Sequence, residues 1–252
     1  MALTKVIGDG IGSVGDDLSL VSDGSIVNFG VNSEISLTHV HNSGLTLASS
    51  VGATTFKIGR AGATDAKVIF DGNAQNYHIG VDDTNDSLVI GLGDTLGTTD
   101  SMVINAAGII TKPLQPAFQA KPASDQTNIA VGTEVNILFG TEIFDNNADY
   151  DGSFIFTAPV TGKYHLSGVV RLGAVDAASE YYIIRLRTSN RDRDFIFDSN
   201  EFSSDLDYVS FPFAITTDMD AGDQAYMRYY QNSGTAQTDV DSSSVFSGHL
   251  VC

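Results

Sequence analysis

Apolar and polar residues alternate along this chain in short runs with a period of two, the spacing of a β-strand with one covered face. In the first 111 residues the runs are LSLVS from Leu18, SIVNF from Ser25, EISLTHV from Glu34, TTFKIG from Thr54, AKVIF from Ala66, SLVIG from Ser87 and SMVIN from Ser101. Between them stand Ser22-Asp23-Gly24, Asn42-Ser43-Gly44, Asp71-Gly72-Asn73 and Ala107-Gly108, residues that suit tight turns. No stretch shows the three-to-four spacing of an amphipathic helix.

A change comes at Lys112-Pro113-Leu114-Gln115-Pro116, where two prolines in five residues predict a stiff extended linker. Beyond it aromatic residues thicken and the runs lengthen: FIFTAP from Phe154, KYHLSGVVRL from Lys163, EYYIIRLRTS from Glu180, DYVSFPFAITT from Asp207, QAYMRYYQ from Gln224 and SVFSGHLV from Ser244. These can fill a two-layer sandwich. The earlier strands are short and carry few aromatics (Phe29, Phe56, Phe70 and Tyr77). They bury too little area to hold one chain together, so their apolar faces are expected to meet copies of themselves.

Composition narrows the partners. The 252 residues carry 13 Lys and Arg against 31 Asp and Glu, a formal net charge of −18. Phosphate backbones and anionic lipid are repelled by such a surface, so neither nucleic acid nor membrane is an expected partner. No apolar run approaches the roughly 18 residues of a membrane span. The lone cysteine, Cys252, allows no intrachain disulfide. The N-terminus MALTKVIGDGIG does not read as a secretory signal, so synthesis in a host cytoplasm is expected.

From Pro116 to Cys252 the chain resembles the globular head of complement component 1q, in the tumour-necrosis-factor-like jelly-roll superfamily. The resemblance is carried by Pro116-Ala117-Phe118-Gln119-Ala120, Phe139, Asp145, Tyr150, Phe156-Thr157-Ala158-Pro159, Gly162-Lys163-Tyr164, Ala221-Gly222-Asp223 and Phe246-Ser247-Gly248. Leu166 and Gly168 stand where aromatics usually follow the Gly-x-Tyr. The resemblance implies a homotrimer. The earlier part resembles shaft modules of marine bacteriophage tail fibres, through Asp23-Gly24-Ser25-Ile26-Val27-Asn28-Phe29-Gly30, Leu37-Thr38-His39-Val40-His41 with Gly44-Leu45, and Tyr77-His78-Ile79-Gly80-Val81-Asp82-Asp83 running on to Leu88-Val89-Ile90-Gly91. A shaft followed by such a head is similar to a fibre ending in a receptor-binding knob.

Several clusters carry candidate chemistry. His39 and His41 lie two apart, so on a strand both face one way, and three parallel chains would present six imidazoles to an axial transition metal. Similar pairs hold metal ions in some phage fibres; an exposed or stacked pair is the alternative. Asp145-Asn146-Asn147-Ala148-Asp149-Tyr150-Asp151 is rich in the oxygens that Ca2+ prefers, or is a turn built on Asx side chains. Asp218-Met219-Asp220-Ala221-Gly222-Asp223 matches the family's turn. Counting strands back from Cys252 puts three loops at the end of the head away from the shaft: Gly173 to Ser179, Ser199 to Asp207 and Asn232 to Ser243. Their Asp176, Glu201, Asp205, Asp207, Asp239 and Asp241 are the candidate receptor-binding residues, since binding concentrates in loops on a rigid scaffold. Arg191-Asp192-Arg193-Asp194 reads as a base-side loop with surface ion pairs.

The expected fold is all-β, with an N-terminal slender trimeric β shaft and a C-terminal jelly-roll β-sandwich head. The expected divisions are an attachment segment at 1–15, the shaft at 16–111, the linker at 112–116 and the head at 117–252. The expected function is non-enzymatic: a virion fibre whose N-terminus grips other virion proteins and whose head binds a host-surface glycan or protein. A capsid decoration or head fibre, in which the jelly roll only trimerises, is the alternative. A secreted lectin lacks its signal and cysteine pairs here, and a glycan depolymerase has no residues to nominate.

Overall fold

The protein is described here by a computed structural model covering residues 25–29, 33, 35–42, 44–59 and 62–252. The run from Leu18, the Ser22-Asp23-Gly24 turn and the attachment segment at 1–15 lie outside the described residues. Every regular element among the described residues is a β-strand. The chain forms two compact units, Met1–Ile58 and Gly59–Cys252.

The first unit holds an antiparallel sheet in the order β1 (Ile26–Phe29), β2 (Ile35–Val40) and β3 (Gly44–Ser49). The turn between β2 and β3 uses Asn42 at φ 58° and Gly44 at φ 117°. The run from Thr54 to Gly59 alternates as expected but forms no strand. Among the described residues no neighbouring edge pairs with it; the Thr54 hydroxyl instead accepts the Ser49 N–H at 3.0 Å, and Phe56 stays 77% exposed.

The second unit opens with a meander of β4 (Ala66–Phe70), β5 (Tyr77–Asp82), β6 (Ser87–Leu92), β7 (Asp100–Ile104) and β8 (Ile110–Thr111), adjacent in chain order. Its register sorts the side chains by face, because cross-strand partners share a side. One face carries Phe70, Tyr77 and Leu92 in one row, Val68, Ile79, Ile90 and Met102 in the next, and Ala66, Val81, Leu88 and Ile104 in a third. On the central strands β5 and β6 the other carries His78, Gly80, Asp82, Ser87, Val89 and Gly91, all buried, while Lys67 and Ile69 of β4 and Val103 of β7 share that face and are not fully covered. On these two strands the small and polar face is therefore the covered one. His78 Nδ1 lies 2.9 Å from the Gly93 carbonyl, and Asp82 Oδ1 accepts the Thr84 N–H at 3.0 Å.

Residues 112–116 form a turn rather than an extended linker: the Gln115 N–H donates to the Lys112 carbonyl at 3.0 Å. Asn147 and Asn146 clip the segment to the head by donating to the carbonyls of Leu114 and Gln115, both at 3.1 Å.

The head is a two-sheet jelly roll. One sheet contains β9 (Ala117–Lys121), β10 (Gln126–Ile129), β12 (Thr141–Asp145), β14 (Gly162–Val175), β17 (Leu206–Met219), β19 (Thr238–Val240) and β20 (Val245–Leu250). The other contains β11 (Val135–Asn136), β13 (Phe156–Thr157), β15 (Tyr181–Thr188), β16 (Asp192–Phe197) and β18 (Gln224–Asn232). Asp192 and Asp194, expected in a loop, lie on strand β16, where they accept from Arg187 Nε at 3.0 Å and Arg185 Nε at 2.6 Å. Cross-strand pairing with β15 carries that polar run into the sheet.

Phe118 stacks on Phe156 at 4.6 Å and Tyr150 at 5.2 Å, and meets Phe246 edge-on at 5.0 Å. These rings sit between the sheets with Tyr164, Leu166, Tyr182, Ile184, Leu186 and Tyr229, all fully buried. Each buried side chain of this size contributes about 1.5–3 kcal/mol. Gly168 pairs with Phe246 on one side and Phe213 on the other, and those rings stand 6.2 Å apart. A Cβ at 168 would collide with the Val245 carbonyl, so the aromatic volume here comes from the flanking strands.

Candidate functional site

The three loops named from the sequence are knitted to one another at one end of the sandwich. The first follows β14, whose penultimate residue, Ala174, stands at φ 52°. This sends Asp176 inward, where it is 1% exposed. Its Oδ1 accepts the Ala178 N–H at 2.7 Å; its Oδ2 accepts those of Thr235 and Ala236 at 2.5 and 2.7 Å. Gly234, at φ 111°, lets the chain pass: a Cβ there would lie 2.6 Å from Oδ2. Burial pushes the Asp176 carboxyl up, but the N–H bonds from Ala236, Ala178 and Thr235 outweigh it and hold the group below the usual carboxylate range. Asp205 accepts the Ala177 N–H at 2.9 Å, and Ser199 Oγ donates to the Ser179 carbonyl at 2.7 Å. Asp176 and Asp205 are thus struts of the scaffold.

Asp207, Asp239 and Asp241 come together with Asp125, Tyr208, Gly173 and Ala174 around an open cleft of about 400 Å3. Asp125 lies far off in sequence, in the turn before β10, and pattern alone did not single it out; its Oδ1 accepts the Ser242 N–H at 2.7 Å. Asp239 Oδ1 accepts the Asn128 N–H at 2.7 Å. Arg171 tempers the acidity: it contacts Asp241 Oδ1 at 2.7 Å and lies 4.9 Å over the Tyr208 ring. Hydrogen bonding from Arg171 holds the Asp241 carboxyl below its ordinary range against the opposing effect of burial. Tyr208 is 62% exposed, so the cleft offers an aromatic face edged by carboxylates. Such a surface can accept hydrogen bonds from hydroxyl or cationic groups. Glu201 is exposed in the turn before β17 and does not line this cleft.

At Asp145–Asp151 the oxygens serve the backbone. Asp145 Oδ1 accepts from the N–H groups of Asn147 and Asp149, and its Oδ2 accepts the Tyr150 N–H at 2.8 Å. Asp149 Oδ2 is buried without a hydrogen-bond partner among the described residues. Burial first, then the negative charge of Asp145, raises the Asp149 carboxyl, against a lowering hydrogen bond from Asn147. His39 lies on β2 opposite Leu45, and His41 falls in the turn that follows; both are exposed in the single chain. No three His, Cys, Asp or Glu side chains converge as a metal site among the described residues.

Comparison with known proteins bears on the head alone. The globular domain of zebrafish complement 1qA protein superposes with a TM-score of 0.41 at 16% identity, covering 55% of this chain and 98% of that one. Murine APRIL, in a crystal structure at pH 8.0, superposes with a TM-score of 0.39 at 11% identity, covering 54% and 99%. No curated protein matches the chain. The sequence profile of the C1q domain matches residues 117–251, more than half of the chain, and the protein belongs to the C1q domain family.

Proposed function

We propose that this chain is the subunit of a homotrimeric virion fibre, whose residues 16–111 form a shaft and whose C1q head adheres to a host-surface glycan or protein. The observation that carries the reading is the inverted meander β4–β8. On β5 and β6 its small and polar face is covered, while its apolar face leaves Phe70 60%, Tyr77 51%, Val81 49% and Ile110 56% exposed. A contiguous apolar sheet face of this kind marks an interface. Two further copies of the same face, arranged around a threefold axis, satisfy it with closed symmetry. In the first unit Leu45 is 71% exposed, in keeping with the same assembly.

The C1q domain supports the threefold reading, since domains of this class form homotrimers and are typically non-enzymatic. The phage setting rests on the resemblance of 23–45 and 77–91 to fibre shaft modules, and with it the virion location and the attachment of residues 1–15 to other virion proteins. In the head, the Tyr208 cleft with Asp207, Asp239 and Asp241 is the proposed receptor surface. Three copies give avidity that one open cleft lacks.

Light scattering on the purified chain tests the assembly. The expected mass is that of three chains, and Ile90→Asp is expected to loosen the association, so that the variant dissociates at a higher protein concentration than the wild type. Ile90 is already 37% exposed in the single chain, so its substitution has little effect on a monomer. A wild-type monomer, or dissociation on dilution that is indifferent to Ile90→Asp, would overturn the shaft. Gold-labelled antibody to the head on intact virions then separates a tail fibre from a capsid decoration.

A further inference from the structure

On the larger head sheet, the face turned away from the core carries a histidine pair near the C-terminal end of β20. His165 on β14 and His249 on β20 are register partners, far apart in sequence and adjacent in space. Their ring centroids lie 5.4 Å apart with planes at 47°. His165 is half-buried and His249 exposed. Their neighbours on the same face include Ala117, Ser167, Ser247 and Ala214, which are short, and Gln119, which pairs with Ser247. The charged neighbours on this face are Lys163 and Asp218; the Asp218 carboxylate is held by Arg191 at 2.6 Å. On the other side of His165, Thr216 Oγ1 lies 3.4 Å from Nδ1, a long contact that biases the ring to present Nε2 outward.

We propose that His165 and His249 chelate one late first-row divalent cation per chain, zinc or nickel, through one ring nitrogen each. Imidazole is a preferred ligand of these ions. With a metal–nitrogen bond of about 2.0–2.1 Å, a cation sits about 3.2 Å from each ring centroid, so two imidazoles on one tetrahedral cation have centroids about 5 Å apart. The observed 5.4 Å needs no backbone movement to meet that requirement. Two antiparallel strands hold both Cα atoms in place, so little ordering is required on binding. Water or a donor from another molecule completes the coordination. The cation ties β14 to β20 at the end of the sheet near Pro116, whose carbonyl accepts the Leu250 N–H at 3.0 Å. This pair is separate from His39 and His41, and both of its imidazoles come from one chain.

Calorimetric titration of the full chain with zinc chloride tests the site, with light scattering on the same samples. The expected result is one zinc per chain in the micromolar range, with a melting temperature that rises with zinc. His249→Gln and His165→Gln are each expected to weaken binding by about tenfold or more, because one imidazole cannot chelate. The double variant His39→Gln/His41→Gln and the variant Cys252→Ser are expected to keep the full affinity. His249 is exposed, so its variant folds, and circular dichroism without metal checks this. No binding at millimolar zinc, unchanged affinity in His249→Gln, or loss of binding in the His39/His41 or Cys252 variants would overturn the proposal. A trimer without zinc leaves the fibre reading standing alone; a monomer that binds one zinc per chain leaves the chelate standing alone.

Discussion

Asp149 shows how much a single atom can oppose the fold around it. Its Oδ2 is buried without a partner among the described residues, and Asp145 stands close enough to repel it. The folded carboxyl is therefore raised above its unfolded value. A raised group contributes stability that is fully present below the unfolded pKa and lost as pH rises through the folded one. At neutral pH the ionised group is a net cost. Asp149→Asn is expected to raise stability at pH 7 by about 0.5 kcal/mol, a small figure because solvent screens part of the repulsion. The gain is expected to vanish by about pH 2, well below the unfolded value, where both states are protonated. Urea unfolding of both proteins at the two pH values checks this; an equal gain at both would assign the effect to something other than charge.

At the level of elements, the three loops at one end of the head act as one body because buried polar groups join them. Asp176 is the centre of that union. Its carboxylate satisfies three backbone N–H groups from two loops, and its own N–H donates to the Tyr182 hydroxyl at 2.9 Å. Removing it strands those donors. Asp176→Ala is expected to cost about 3 kcal/mol. Thermal melting is expected to fall by about 6–12 °C for a unit of this size. Proteolysis is expected to open the loop around Thr235 and Ala236 first, where the lost bonds lay; an unchanged melting curve would show that the loops hold without it. The neighbouring Asp205–Ala177 and Ser199–Ser179 bonds explain why a sequence-derived set of loops, chosen by strand counting, proves to be physically joined. Alternation reveals strand direction, but whether a carboxylate in a loop faces water or backbone depends on chain approaching from elsewhere. Asp176 could not be told from Asp207 by its surroundings in sequence.

Over the whole molecule, the distribution of apolar surface is the main fact. The head buries its aromatics between two sheets, whereas the meander before it turns its apolar face outward. In the proposed homotrimer, copies of the chain cover that face and stabilise one another. On that proposal the melting temperature is expected to rise with protein concentration, and that of Ile90→Asp to lie lower at each concentration. Calorimetry across a roughly hundredfold concentration range, the span needed for a clear shift, checks this. A flat response in the wild type would mean that the meander is stable alone.

Much of this was legible in the chain itself. Period-two alternation and turn residues established an all-β protein, and the motifs from Ala117 to Gly248 established its C1q head, because both depend on local spacing and on side chains that a jelly roll must bury. The strand at Asp192–Phe197, the turn at Lys112–Gln115 and the unpaired run at Thr54–Gly59 departed from expectation. In each case a partner from elsewhere in the chain, or the lack of one among the described residues, decided between strand and loop. Tertiary structure alone brought Asp125 to Asp239 and His165 to His249, and it alone set which face of the meander is covered. Hydrogen-bond register pairs residues that the chain separates, and no local pattern encodes it.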